Sequence, residues 1–152
     1  MGQVKLKTTV KLRAKGTGFS HSRMDVAVRD LTSTIDEPTE RGGTNLGLTP
    51  TDTAIAALAG CTNVIGNKCA EKLGIDAGHI HVEIECDFDR RGVTLAEEIE
   101  TPFVALNQRV TCTGSATEEE LAQLGEDVAK YCPLSKLFIN SGTQVTTTWA
   151  KA

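Results

Sequence analysis

The hydrophobic pattern changes character several times along the chain, and each change marks an expected element. From residue 4 to residue 12, Val4, Leu6, Thr8, Val10 and Leu12 alternate with Lys5, Lys7, Thr9 and Lys11, which is the period of a strand with one buried face. Gly16-Thr17-Gly18 reads as a turn, and Met24–Val28 and Thr32–Ile35 as two further short strands of an antiparallel meander. Asp36-Glu37-Pro38 and a loop carrying Gly42, Gly43 and Gly47 then deliver the chain to Thr49-Pro50. From Thr51 to Leu73 the pattern is that of a long helix, opened by Pro50 with Thr49 or Thr51 as cap and closed by Gly74.

Strict alternation returns after Gly74, with Ile80, Val82, Ile84, Cys86 and Phe88 set against His81, Glu83, Glu85 and Asp87. Arg90-Arg91-Gly92 ends that strand. An acidic connection with Glu97, Glu98 and Glu100 leads to another strand from Phe103 to Cys112. Thr117-Glu118-Glu119-Glu120 is a capping box that starts a helix through Leu121, Leu124 and Val128 to about Tyr131. A closing strand spans Gln144 to Trp149. The order of strands, long helix, strands, helix and strand predicts an α+β fold with antiparallel sheets.

The first helix carries a further implication. Ala54, Ala56, Ala57, Leu58, Ala59, Gly60, Cys61, Val64, Ile65 and Gly66 leave its interior nearly free of charge on every side. Such a helix must be buried all round, and one sheet covers only one face. A second subunit is the expected supplier of the other layer, so the sequence predicts a homodimer around a buried central helix.

Length and composition narrow the function. A chain of 152 residues is the size of one domain, 1–152. Its 16 basic and 20 acidic residues give a net charge of -4 without a basic stripe, which argues against nucleic-acid and anionic-membrane partners. No apolar leader follows Met1 and no run of about 18 apolar residues occurs, so a soluble, cytoplasmic protein is expected.

The candidate chemistry lies in the cysteines. Five of them, Cys61, Cys69, Cys86, Cys112 and Cys132, are widely spaced and embedded in apolar segments, which is neither a disulfide framework nor a zinc-knuckle spacing. A reactive cysteine needs thiolate, and a free thiol of pKa about 8.5 supplies only a little at neutrality. Cys132 stands where a helix ends and Pro133 begins a new turn, whose free N–H groups favour a thiolate. Cys61 is flanked by Ala59 and Gly60, which leave room for a substrate. Cys69 is on nearly the same helix face as Cys61 but about 12 Å further along the axis, out of pairing reach. Cys86 and Cys112 fall at inward positions of strands, where a thiol serves as a small hydrophobe. A cysteine hydrolase would need a histidine base, and no motif links His79 or His81 to either thiol.

The surrounding segments add a family likeness. Asp36-Glu37-Pro38, Gly42-Gly43-Thr44 and Gly47-Leu48-Thr49-Pro50, leading into Ala56-Ala57-Leu58-Ala59-Gly60-Cys61-Thr62, resemble the central block of the OsmC/Ohr family. Cys132-Pro133-Leu134-Ser135 resembles that family's second cysteine motif. The resemblance implies an intertwined homodimer whose active sites combine residues of both subunits. It further implies that Cys61 takes the terminal oxygen of an organic hydroperoxide and becomes a sulfenic acid, that Cys132 condenses with it to a disulfide, and that a dithiol such as a protein-bound lipoyl group reopens the bridge. No metal, haem or other cofactor enters that cycle.

The family also holds its first cysteine with an arginine and an acidic residue. Arg29 is the arginine candidate, with Arg23 as the alternative, and Asp52 is the acidic candidate. The sequence departs from the pattern at Thr51, where the Ohr branch carries glutamate, and at Lys136, where asparagine is common. These departures point to a general OsmC-like member. The leading expectation is a thiol peroxidase. The alternatives are a redox-sensing or ligand-binding module with little turnover, and a structural dimer whose thiols are packing.

Overall fold

The computed structural model describes residues 8–152. These form two compact units, divided between Thr53 and Ala54.

The first unit is a meander of three antiparallel strands, β1 (Lys15–Gly18), β2 (Met24–Val28) and β3 (Leu31–Ile35), in that order across the sheet. The strand expected over 4–12 is not found as drawn. Residues 4–7 lie outside the described residues, and 8–12 form no strand, with Val10 67% and Leu12 89% exposed. Alternation makes a strand only where a neighbouring strand and a core receive it, and among the described residues of this chain 8–12 have neither. The sheet begins instead at the stretch expected to turn. Gly16 lies in β1 opposite Val26, and the space where its Cβ would stand is taken by the Met24 sulfur, 2.5 Å away. The turn comes later, where Phe19 N–H donates to Arg23 O.

After β3 the loop closes over Asp36, whose carboxylate is fully buried. It accepts hydrogen bonds from the Glu37, Thr44 and Leu46 N–H groups and from the Ser22 and Thr44 hydroxyls. Gly43 and Gly47 allow this path, since a Cβ at either would sit about 2 Å from a carbonyl oxygen, that of Glu37 or Thr34. Asp36-Glu37-Pro38 and the glycines are therefore one device, a carboxylate that organises the turn before the long helix.

The second unit contains a sheet in the order β4-β5-β6, with β4 at Ile80–Phe88, β5 at Phe103–Cys112 and β6 at Gln144–Lys151. β4 and β5 are antiparallel as expected, but β5 and β6 run parallel, so this sheet is mixed. A parallel pair needs a long crossover, which is supplied by helices α2 (Glu118–Tyr131) and α3 (Pro133–Asn140). The capping box is complete: Thr117 accepts from Glu120 N–H, and the Glu120 side chain accepts from Thr117 N–H. Phe88, Phe103 and Phe138 pack edge to face at 5.1 and 5.3 Å, fixing α3 to β4 and β5.

The long helix α1 spans Pro50–Leu73, and Gly74 ends it in the left-handed region at φ 69°. Its buried residues, Leu58, Thr62, Gly66, Cys69 and Ala70, form one stripe. Gly66 is required there, because a Cβ would meet Ile80 at 2.9 Å and Trp149 at 3.1 Å. The opposite stripe, with Ala57, Gly60 and Val64, is exposed. Within one chain the helix is thus buried on one face only, as a single covering sheet dictates.

Candidate active site

Two packing stripes bring the chemistry together. Along α2 the buried residues Leu121, Leu124 and Val128 are spaced so that position 132 continues the same face. Pro133 forces the residue before it out of the helical region, and Cys132 is extended at φ −69°, ψ 112°. That one residue closes one helix and opens the next. Its N–H donates to Val128 O at 2.8 Å, and its carbonyl accepts from Lys136 N–H at 3.1 Å. Its sulfur takes the capping place, accepting from Ser135 N–H at 3.4 Å.

Cys61 lies mid-helix on α1, half-buried at the edge of the stripe that holds Leu58 and Thr62. The Cys132 S–H donates to Cys61 Sγ, with the sulfurs 3.1 Å apart. A disulfide needs about 2.05 Å, so a shift of roughly 1 Å separates the reduced pair from a bond. Both cysteines are reduced, and Cys132 is fully buried.

The electrostatics of Cys132 correct one expectation. Free N–H groups at the start of α3 do favour its thiolate, but burial outweighs them and holds the thiol above its usual pKa, with the Cys61 sulfur adding to the rise. Cys132 is a protonated thiol at neutral pH. Cys69, Cys86 and Cys112 are likewise pushed up, chiefly by burial, which suits packing rather than nucleophilic roles.

The other candidates belong to the first unit. Arg29 forms the β2–β3 turn with Asp30, exposed and in the left-handed region at φ 57°. Arg23 is engaged by Asp25 at 3.3 Å and lies over the Phe19 ring. Asp52 is exposed in the first turn of α1, where its N–H donates to Thr49 Oγ1 at 3.1 Å, making Thr49 the helix cap. Lys136 is exposed on the first turn of α3. His79 and His81 are exposed at the start of the β4 region.

One pair beside the thiols escaped the reading of the sequence. Gln108 Nε2 on β5 donates to Thr62 Oγ1 at 2.9 Å, and both residues are buried. The signal was present as an amide at an inward position of β5, between Leu106 and Val110. Among the described residues no cluster of His, Cys, Asp or Glu is placed to hold a metal ion, and no helix is long and apolar enough to cross a membrane.

Two reduced thiols within about 1 Å of bonding distance, one accessible and one sealed, define a site of the dithiol type on an α+β scaffold. The chain belongs to the OsmC-like family, whose model, described as OsmC-like protein, matches residues 43–148. That match takes in Gly43, Gly47 and both cysteines. Among solved structures the chain is similar to an OsmC-like protein from Mycoplasma pneumoniae, at 17% identity and TM-score 0.76, covering 93% of this chain and 98% of that one. An organic hydroperoxide resistance protein OsmC from Legionella pneumophila shares 19% identity at TM-score 0.71, covering 95% and 99%. One from Elizabethkingia anophelis shares 20% at TM-score 0.68, covering 97% and 100%. At these identities the structures establish the fold. No curated protein sequence matches the chain significantly.

Proposed function

We propose that the protein is a thiol peroxidase that reduces organic hydroperoxides, with Cys61 as the attacking sulfur and Cys132 as the resolving one. The observation that carries this reading is the 3.1 Å separation of the two sulfurs. The Cys61 thiolate attacks the terminal peroxide oxygen, the O–O bond breaks, and the departing alkoxide takes up a proton to leave as the alcohol. Cys61 is then a sulfenic acid. Cys132 displaces its hydroxyl, the thiol proton leaves with it as water, and a disulfide forms. A dithiol of the lipoyl class restores both thiols. The unequal exposure of the two sulfurs supports this division of labour, because a bulky peroxide reaches the half-buried Cys61 before the sealed Cys132.

The exposed stripe of α1, with Ala57, Gly60 and Val64, supports assembly as a homodimer that covers it. Arg29 is the proposed cation beside the attacking sulfur. Asp52 is the proposed acidic partner of the site.

Reduced protein mixed with cumene hydroperoxide is expected to lose two thiols per chain, both mapping by mass spectrometry to Cys61 and Cys132. Cys61→Ser abolishes peroxide consumption and Cys132→Ser permits one turnover. Full multi-turnover activity of Cys132→Ser without an external thiol would overturn the two-cysteine cycle.

A further inference from the structure

Reopening the bridge poses a choice between two sulfurs. A thiolate displaces a disulfide sulfur in line, entering opposite the sulfur that leaves, and the outcome depends on access and on how well the leaving thiolate is stabilised. The two ends of this bridge differ above all in access. Cys61 is half-buried on α1. Cys132 has no exposed surface, and it is lodged at the junction of α2 and α3. Its sulfur also already accepts the Ser135 N–H at 3.4 Å, from the first turn of a helix that opens at Pro133. Positive charge density at a helix start stabilises a sulfur that gains charge.

We propose that the dithiol attacks Cys61 Sγ, and that Cys132 is the leaving sulfur, received as a thiolate by the Ser135 backbone N–H. The inference rests on the bridge of the peroxidase reading and goes beyond it by assigning the direction of reduction. One sulfur of the reductant bonds to Cys61, the Cys61–Cys132 bond breaks, and its electron pair passes to Cys132 Sγ. Cys132 then takes the proton of the second reductant thiol, in keeping with the protonated state that burial imposes on it. That second sulfur displaces Cys61, so the dithiol leaves as a cyclic disulfide and both protein thiols are restored.

The full chain is oxidised in two ways, with one equivalent of cumene hydroperoxide and with diamide, and then exposed briefly to 2-mercaptoethanol. After an acid quench and alkylation of free thiols, the peptides are mapped by mass spectrometry. The mercaptoethanol adduct is expected on Cys61 and the alkyl group on Cys132, with a preference of at least ~10-fold. An adduct mainly on Cys132, or shared equally, overturns the proposal, as does failure of diamide to form the bridge. A bridge formed by diamide but not by peroxide would instead refute the peroxidase reading while the mapping still decides the direction of attack. Ser135→Pro removes the N–H and is expected to slow reduction of the preformed bridge about tenfold. An unchanged rate in a folded variant would overturn the role of that N–H, and the mapping on the unaltered chain decides the site of attack whether or not the variant folds.

Discussion

Replacing Thr62 by valine tests the polar contact that anchors α1 next to Cys61. The substitution keeps the shape of the side chain and removes only the hydroxyl that accepts from Gln108 Nε2 at 2.9 Å. Thr62 and Gln108 are 1% and 5% exposed, so water cannot replace the lost acceptor without the helix moving. A buried donor left without a partner costs about 1–3 kcal/mol. With a urea m-value of about 2 kcal/mol/M for a chain of this size, the unfolding midpoint should fall by roughly 0.5–1.5 M. Thr62→Val combined with Gln108→Leu removes both polar partners, and should recover most of that loss, giving a coupling of about 1 kcal/mol or more in a double-mutant cycle. Because Thr62 follows Cys61 on α1, losing this bond removes a buried polar anchor of the helix next to the Cys61 sulfur. Disulfide formation should therefore slow in Thr62→Val even where the fold persists. A single variant with an unchanged midpoint, or a double variant that loses the sum of the two single costs, would refute this account of the contact.

Three other tests address the scaffold. Asp36→Asn places an amide against the N–H groups of Glu37, Thr44 and Leu46, so hydrogen exchange at Thr44 and Leu46 should accelerate; unchanged protection would show that the carboxylate does not hold the loop. In the natural chain the Thr44 hydroxyl, with the Leu46, Glu37 and Thr44 N–H groups, holds the Asp36 carboxyl far below the usual carboxylate range, so its contribution is present above the ordinary carboxylate pKa and is lost as pH falls toward the depressed folded value. Gly125→Ala sets a Cβ 2.6 Å from Trp149 Cδ1; overpacking of about 1–3 kcal/mol should outweigh the helix propensity gained, with a red shift in the emission of the chain's single tryptophan, and a more stable variant would show that the ring yields freely. Cys69, Cys112 and Cys132 are buried as thiols with raised pKa values, so the unfolded chain releases their protons first as pH rises. Stability should fall above the ordinary thiol pKa of about 8.5, by up to ~1.4 kcal/mol per pH unit for each thiol, and a flat urea midpoint between pH 8 and pH 10 would contradict that.

How much of this was legible depended on whether the cause lay near in sequence. The helix from Pro50, the strands over 80–88 and 103–112 and the capping box at Thr117 have local causes: period, cap and breaker residues sit in the segments themselves. Over 8–12 the N-terminal alternation forms no strand, because lysines and apolar residues in alternation describe one only where a partner exists, and the partner of β2 is Lys15–Gly18. Gly16 looked like part of a turn because its reason, the Met24 side chain, is supplied across the sheet. The parallel β5–β6 pairing follows from the length of the α2–α3 crossover, and α3 itself was hidden behind Pro133, read only as the start of a turn. In the site, the two cysteine positions could be singled out, but Ser135 N–H and Gln108 act through contacts set by folding.

The same comparison shows why packing stripes can bring two thiols together. Leu121, Leu124, Val128 and Cys132 form a run at positions one, four, eight and twelve of a helical face, and Leu58, Thr62 and Gly66 form another on α1 beside Cys61. Each cysteine is held where a small hydrophobe would be held, by the burial of its neighbours, and it needs no special loop to find the other. Only the break at Pro133 distinguishes Cys132 from ordinary core: it leaves the sulfur on the buried face while turning fresh N–H groups of α3 toward it. Burial keeps the thiol protonated and those N–H groups stabilise its anion, two effects that oppose each other in the resting protein. In the proposed cycle the opposition suits a sulfur that stays inert until its partner is oxidised, and then leaves as a thiolate when the bridge is opened.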